Sequence, residues 1–190
     1  MPDDIAYNIN EIHNIVDDVQ NVANNKMDKT NPVGTGSFSM NRKSGTTIGG
    51  YSHAVGSDTT ASGYASHAEG SNTTASGNSS HAEGYGTTAS ADYSHAEGYG
   101  TTAQRKSQHV QGEYNILDTK GTGTTRGKYV HIVGNGTSAT ARSNAHTLDW
   151  DGNAWYQGTV ESTGFILASP NGTKYKITVA DDGTLSAVSV

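Results

Sequence analysis

Ser66-His67-Ala68-Glu69-Gly70-Ser71-Asn72-Thr73-Thr74-Ala75-Ser76-Gly77-Asn78-Ser79 is followed at once by a near copy of itself, and that copy by another. His53, His67, His81, His95 and His109 lie fourteen residues apart. Around them recur Ser52-His53-Ala54-Val55-Gly56, Ser80-His81-Ala82-Glu83-Gly84 and Ser94-His95-Ala96-Glu97-Gly98, closing with the degenerate Gln108-His109-Val110-Gln111-Gly112. Half a period later comes a second motif, Thr60-Ala61-Ser62-Gly63, Thr74-Ala75-Ser76-Gly77 and Thr88-Ala89-Ser90-Ala91. Self-similarity at a fixed period is the mark of a stacked repeat. Each period therefore holds two short strands and two turns.

Strand side chains alternate between faces, so Ser66 and Ala68 share one face and His67 and Glu69 the other. In the second strand Thr73 and Ala75 oppose Thr74 and Ser76. A fourteen-residue coil leaves an interior wide enough only for Ala, Ser, Thr and Gly, which explains why just 32% of the chain is apolar. Coils stacked in register at ~4.8 Å give a parallel β-roll, about five coils making a rod on the order of 25 Å long. His67, His81 and His95 are expected in one column.

The repeat, over roughly residues 46 to 115, resembles the head repeats of YadA-like trimeric autotransporter adhesins. That resemblance implies a left-handed parallel β-roll that trimerises. The family often places Val and Ile where this chain has His67 and Glu69, and those positions face its threefold axis. By the same resemblance His53, His67, Glu69, His81, Glu83, His95, Glu97 and His109 are candidates to line a trimer axis. No secretion signal or C-terminal anchor is read in the chain, which turns the expectation away from a cell-anchored adhesin. The flanks, Lys26-Met27-Asp28-Lys29-Thr30-Asn31-Pro32-Val33-Gly34-Thr35-Gly36-Ser37-Phe38-Ser39-Met40-Asn41 and His131-Ile132-Val133-Gly134-Asn135-Gly136-Thr137 through Ala145-His146-Thr147-Leu148-Asp149-Trp150-Asp151-Gly152-Asn153-Ala154-Trp155, resemble bacteriophage fibre proteins of Gram-positive prophages. They imply a virion appendage, synthesised in the host cytoplasm.

At the N-terminus Ile5, Ile9, Ile12, Val16, Val19 and Ala23 alternate spacings of four and three, the seam of a coiled coil. β-Branched residues at both seam positions favour three or more strands over two. An amphipathic helix packed on another protein fits the same pattern; either version makes an attachment segment for a virion capsid or tail protein. The chain thus divides into a coiled-coil helix (1–30), an extended linker (31–45), the β-roll (46–118), a β-rich shaft and hairpin region (119–163) and a C-terminal antiparallel β-meander tip (164–190). The expected whole is a mainly β, elongated homotrimer. In the meander, the alternation of Lys174-Tyr175-Lys176-Ile177-Thr178-Val179 predicts a sheet with one buried face.

A formal charge of -6 with no basic stripe argues against nucleic acid, since phosphate neutralisation needs concentrated Lys and Arg. No run approaches the ~20 apolar residues that span a bilayer, so no membrane insertion is expected. The absence of Cys removes disulfides and thiolate metal sites.

No catalytic residue, metal or cofactor is expected. Glu69, Glu83 and Glu97 recur with the repeat and make no unique acid pair. Asp118, Asp149 and Glu161 lack a recognisable spacing, and His146 has no Ser or Asp arrangement to join. The His ladder offers imidazoles to a metal, but a ladder repeated every coil is better explained by His and Glu satisfying each other. A His that gains a Glu partner has its charged form favoured, whereas burial alone does the opposite. Asp149, Asp151 and Asn153 resemble the opening of a calcium loop without its Glu at the twelfth position, and Asp-Gly-Asn is ordinary turn chemistry. Trp150, Trp155 and Tyr156 are receptor or tip candidates, either as a sugar-stacking platform or as anchors of a subunit interface. The expected function is multivalent attachment to a host surface glycan or envelope receptor. The alternatives are a capsid or tail decoration without receptor and a bacterial surface adhesin head fragment.

Overall fold

The computed structural model describes residues 37–160 and 165–190. The coiled-coil seam and the first part of the linker lie outside the described residues. The chain divides into two compact units, Met1–Gln157 and Gly158–Val190.

The first unit is built on a β-solenoid. Its strands are β1 Phe38–Arg42, β2 His53–Ala61, which serves both ladders, and then alternating long and short strands, β3 His67–Ser71, β4 Thr74–Ala75, β5 His81–Tyr85, β6 Thr88–Ala89, β7 His95–Tyr99, β8 Thr102–Ala103 and β9 His109–Glu113. The long strands form one parallel ladder, β1-β2-β3-β5-β7-β9, and the short ones a second, β2-β4-β6-β8. Pairing is in register with the repeat, His53 on His67, His67 on His81, His81 on His95 and His95 on His109. The parallel ladder goes one strand further than the perfect repeat. β10 (Tyr129–Asn135) pairs with β9, His131 on His109, twenty-two residues on rather than fourteen. The excess sits in the segment between β9 and β10. β11 (Asn144–Asp149) and β12 (Ala154–Tyr156) then close the sheet in antiparallel sense.

The interior follows the alternation expected from the sequence. Ala54, Ala68, Ala82 and Ala96 are buried in one column that widens to Val110 and Ile132, and Ala61, Ala75, Ala89 and Ala103 form the other. Ser66 and Thr73 are buried, whereas Thr74 is half-buried and Ser76 exposed. Each repeat Ser closes the preceding turn: the Oγ atoms of Ser52, Ser66 and Ser80 donate to the carbonyls of Gly49, Gly63 and Gly77 at 2.7, 2.8 and 2.7 Å. The Gly column has a steric cause. Gly56, Gly70, Gly84, Gly98 and Gly112 have positive φ, and a Cβ on Gly84 would lie 2.2 Å from the carbonyl oxygen of Gly98 in the next coil.

The last coil is capped by polar side chains. The carboxamide of Asn115, fully buried, accepts from the Thr102 N–H (2.8 Å) and donates to the Thr102 and Ile116 carbonyls (3.1 Å each), as a further coil's peptide would. Gln108 replaces the repeat Ser and reaches the Asp118 carboxylate and the Tyr129 carbonyl. Asp118, for which the sequence offers no spacing argument, is a structural acceptor: it takes the N–H groups of Lys120 and Tyr129 at 2.9 and 3.0 Å and so ties down the segment before β10.

The second unit is an antiparallel meander, β13 (Phe165–Ala168), β14 (Lys174–Val179) and β15 (Leu185–Ser189), with turns at Gly172 and Gly183. The expected strands are present. The expected buried face is not, because Phe165, Ile166, Leu167, Val179, Leu185 and Val188 are all exposed in the single chain. Three short strands have nothing of their own to cover either face.

Candidate functional site

The Ser before each of β3, β5 and β7 and the Ala at the strand's second position point inward, so the residues at the first and third, His and Glu, share the outer face. The strand spacing of a parallel sheet then stacks the imidazoles. Ring centroids are 4.6 Å apart for His67–His81 and His81–His95 and 4.8 Å for His95–His109, with interplanar angles of 4°, 17° and 17°. The column expected for His67, His81 and His95 is present and longer than the repeat. It begins at His53 and continues through His131 and His146 to the ring of Tyr156. His146 thus lies between His131 and Tyr156. His131 had a readable signal, since His131-Ile132-Val133-Gly134 repeats the His-x-x-Gly of every coil. His146 arrives on an antiparallel strand and had none.

Glu83 and Glu97 reach upward to the next coil's imidazole. Glu83 Oε1 lies 3.4 Å from His95 Nε2, and Glu97 Oε1 lies 3.3 Å from His109 Nε2. Glu69 Oε2 is 3.7 Å from His67 Nε2 in its own coil. Two sets of three potential metal ligands result, His95/Glu97/His109 and Glu69/His81/Glu83, with the ligand atoms of each set within 4.8 Å of one another.

Burial decides the titration of several of these imidazoles. His53, His81 and His131 are held below the ordinary His value first by burial and then by neighbouring imidazoles, with Glu69, Glu83 and Glu97 offsetting part of the effect. The carboxylates thus lose to desolvation at these positions. A base whose folded pKa is depressed leaves its contribution to stability intact above the unfolded value and loses it as pH falls through the window below. Melting temperature is accordingly expected to fall between about pH 7.5 and pH 5, and to fall less in His81→Gln. A parent that melts higher at pH 5 would reverse this assignment.

The three aromatic candidates do not form one platform. Trp150 is half-buried under the Arg126 guanidinium, 4.2 Å from its ring. Trp155 and Tyr156 are exposed and, as neighbours on β12, face opposite ways. Tyr156 ends the imidazole column. Trp155 instead lines a cleft of about 440 Å³ with Tyr129, Ile116, Lys128, Asn144 and Asn153. Neither Tyr129 nor Ile116 was signalled by spacing, because each comes from the non-repeating segment. An aromatic wall opposite amide and ammonium groups can hold a polar ring by stacking and hydrogen bonding.

Asp149, Asp151 and Asn153 make a turn. Asp149 accepts the N–H groups of Asp151 and Asn153 on one oxygen, at 3.0 and 2.8 Å, and the Asn153 amide on the other at 2.9 Å. Those bonds, the ones from Asn153 foremost, hold its carboxyl below the usual range. Both oxygens are engaged within the loop.

Comparison with family models, with curated proteins and with solved structures finds no match to this chain.

Proposed function

We propose that this chain is a structural subunit of a bacteriophage fibre, a homotrimer on the virion surface that attaches to the host through many weak contacts. The observation that carries the reading is the solenoid itself. Its coils are filled by Ala, Ser and Thr, and leave no room inside for substrate. Such a stack resists bending and shortening, because each coil is hydrogen-bonded to the next, and serves as a spacer. The cleft lined by Trp155 and Tyr129 is the surface best suited to a glycan of the host envelope. Three copies per fibre and several fibres per particle raise avidity without any single strong site. The apolar side chains exposed on the meander support an assembly in which other copies cover them. The N-terminal segment is the proposed attachment to a capsid or tail protein. We take the chain to be non-enzymatic, since Asp118 and Asp149 are occupied by backbone donors and Glu83 and Glu97 lie against imidazoles.

Two measurements test this. Sedimentation of the purified chain at micromolar concentration is expected to show a species of three chains, and a folded monomer would refute the trimer. Particles carrying Trp155→Ala are expected to adsorb to host cells at least tenfold less well, with particle assembly unchanged. Full adsorption by that variant and by one lacking residues 158–190 would favour a decoration without receptor. Release of soluble sugar from host envelopes would instead make the fibre an enzyme.

A further inference from the structure

We propose that His95, Glu97 and His109 bind one first-row divalent transition-metal ion, zinc being the best fit, and that Glu69, His81 and Glu83 form a second such set lower on the same column. The placement follows from the repeat. His95 and Glu97 are alternate residues of β7 and share its outer face, and His109 on β9 lies directly over His95. Two packed coils therefore present three donors from rigid backbone, without a flexible loop.

The spacing is that of a ligand set. Zinc bonds of about 2.0–2.2 Å to nitrogen and oxygen, opened to a tetrahedral angle, put the two ligand atoms about 3.4 Å apart. His109 Nε2 and Glu97 Oε1 of the upper set are 3.3 Å apart, and the ligand atoms of each set all lie within 4.8 Å of one another. A hydrogen bond at these places would be shorter and in line. Instead the Nε2 atoms of His81, His95 and His109 are shielded from solvent and have no hydrogen-bond partner among the described residues. The His109–Glu97 pair thus lies within ion-pair distance but off the N–H direction. The stacked rings of His95 and His109 can turn toward one ion about χ2, a soft torsion.

Imidazole with carboxylate selects zinc, nickel or copper over calcium and magnesium, which prefer oxygen alone. Three protein ligands leave a fourth position for water. An ion held this way bridges β7 and β9 and staples adjacent coils, stabilising the folded roll by mass action. Such binding does not depend on host attachment.

The test is calorimetric titration of the full chain, stripped with chelator, with zinc chloride alone at pH 7.5, alongside thermal melts. Saturable binding is expected, with a rise in melting temperature and no comparable response to calcium. His109→Gln and Glu97→Gln are each expected to weaken zinc binding at the upper set at least tenfold and to reduce the zinc-dependent rise. Circular dichroism of the metal-free variants checks that the roll is intact, and Glu97→Asp, which keeps the carboxylate, is expected to retain more affinity than Glu97→Gln. Absence of saturable zinc binding by the parent up to about 1 mM, or binding by folded His109→Gln and Glu97→Gln equal to the parent's, would overturn the assignment.

Discussion

Gly84→Ala is expected to destabilise the roll by about 3 kcal/mol, from about 1–3 kcal/mol of backbone strain together with ladder hydrogen bonds worth ~1 kcal/mol each. Two separate costs meet at this position. Its φ of +103° lies beyond the left-handed well that other residues visit, and a Cβ there would sit 2.2 Å from the Gly98 carbonyl oxygen. That oxygen belongs to the backbone of the next coil, so it cannot swing aside as a side chain would. Separating the coils is the remaining response, and it stretches the ladder on both sides. For a unit of this size the loss corresponds to a drop of roughly 10 °C in melting temperature. Gly86, two residues along, provides the control. Its φ is +66° and the nearest atom to an added Cβ is 3.9 Å away, so Gly86→Ala should cost only the left-handed strain of about 1–2 kcal/mol. Equal melting of the two variants would mean that inter-coil contact does not explain the Gly column.

Asn115→Ala is the second substitution expected to have a large effect, again about 3 kcal/mol, since unpaired buried polar groups cost ~1–3 kcal/mol each. Among the described residues no further short strand lies above β8 to pair with Thr102. The Asn115 carboxamide supplies both the acceptor and the donor that such a strand would bring. Truncation leaves the Thr102 N–H and carbonyl facing a cavity in a fully buried position. Asn135 is exposed and its amide bonds only to Gln157, so Asn135→Ala should stay within about 0.5 kcal/mol of the parent. Urea titration of the three proteins measures the difference. An Asn115→Ala protein as stable as Asn135→Ala would show that the end of the roll needs no cap.

Both substitutions separate what repeats from what ends the repeat. Fourteen-residue spacing implied which residues stack, because in a solenoid the period in sequence is the register in space. The inward Ser66, Ala68, Thr73 and Ala75 and the outward His67 and Glu69 followed from strand alternation. The degenerate coil at Gln108 gave little away in sequence. Its purpose shows only where Gln108 meets Asp118 and Tyr129, residues brought in by a segment with no period.

The candidate site divides along the same line. The imidazole column was legible as far as His109, and one further step was written in His131-Ile132-Val133-Gly134. Its continuation through His146 to Tyr156 depends on antiparallel pairing whose register no local pattern specifies. The cleft lined by Ile116, Tyr129 and Trp155 joins residues far apart in the chain, and Trp150 lies instead under Arg126. Charge balance along the column was equally hidden, because the contest between desolvation and a neighbouring carboxylate is set by depth and distance. Sequence by itself determined the coil, its filling and its ladder, since each coil templates the next through contacts one period away. Tertiary structure alone decided the cap, the cleft, the far end of the column and the exposure of the meander, since those rest on contacts between segments that share no period.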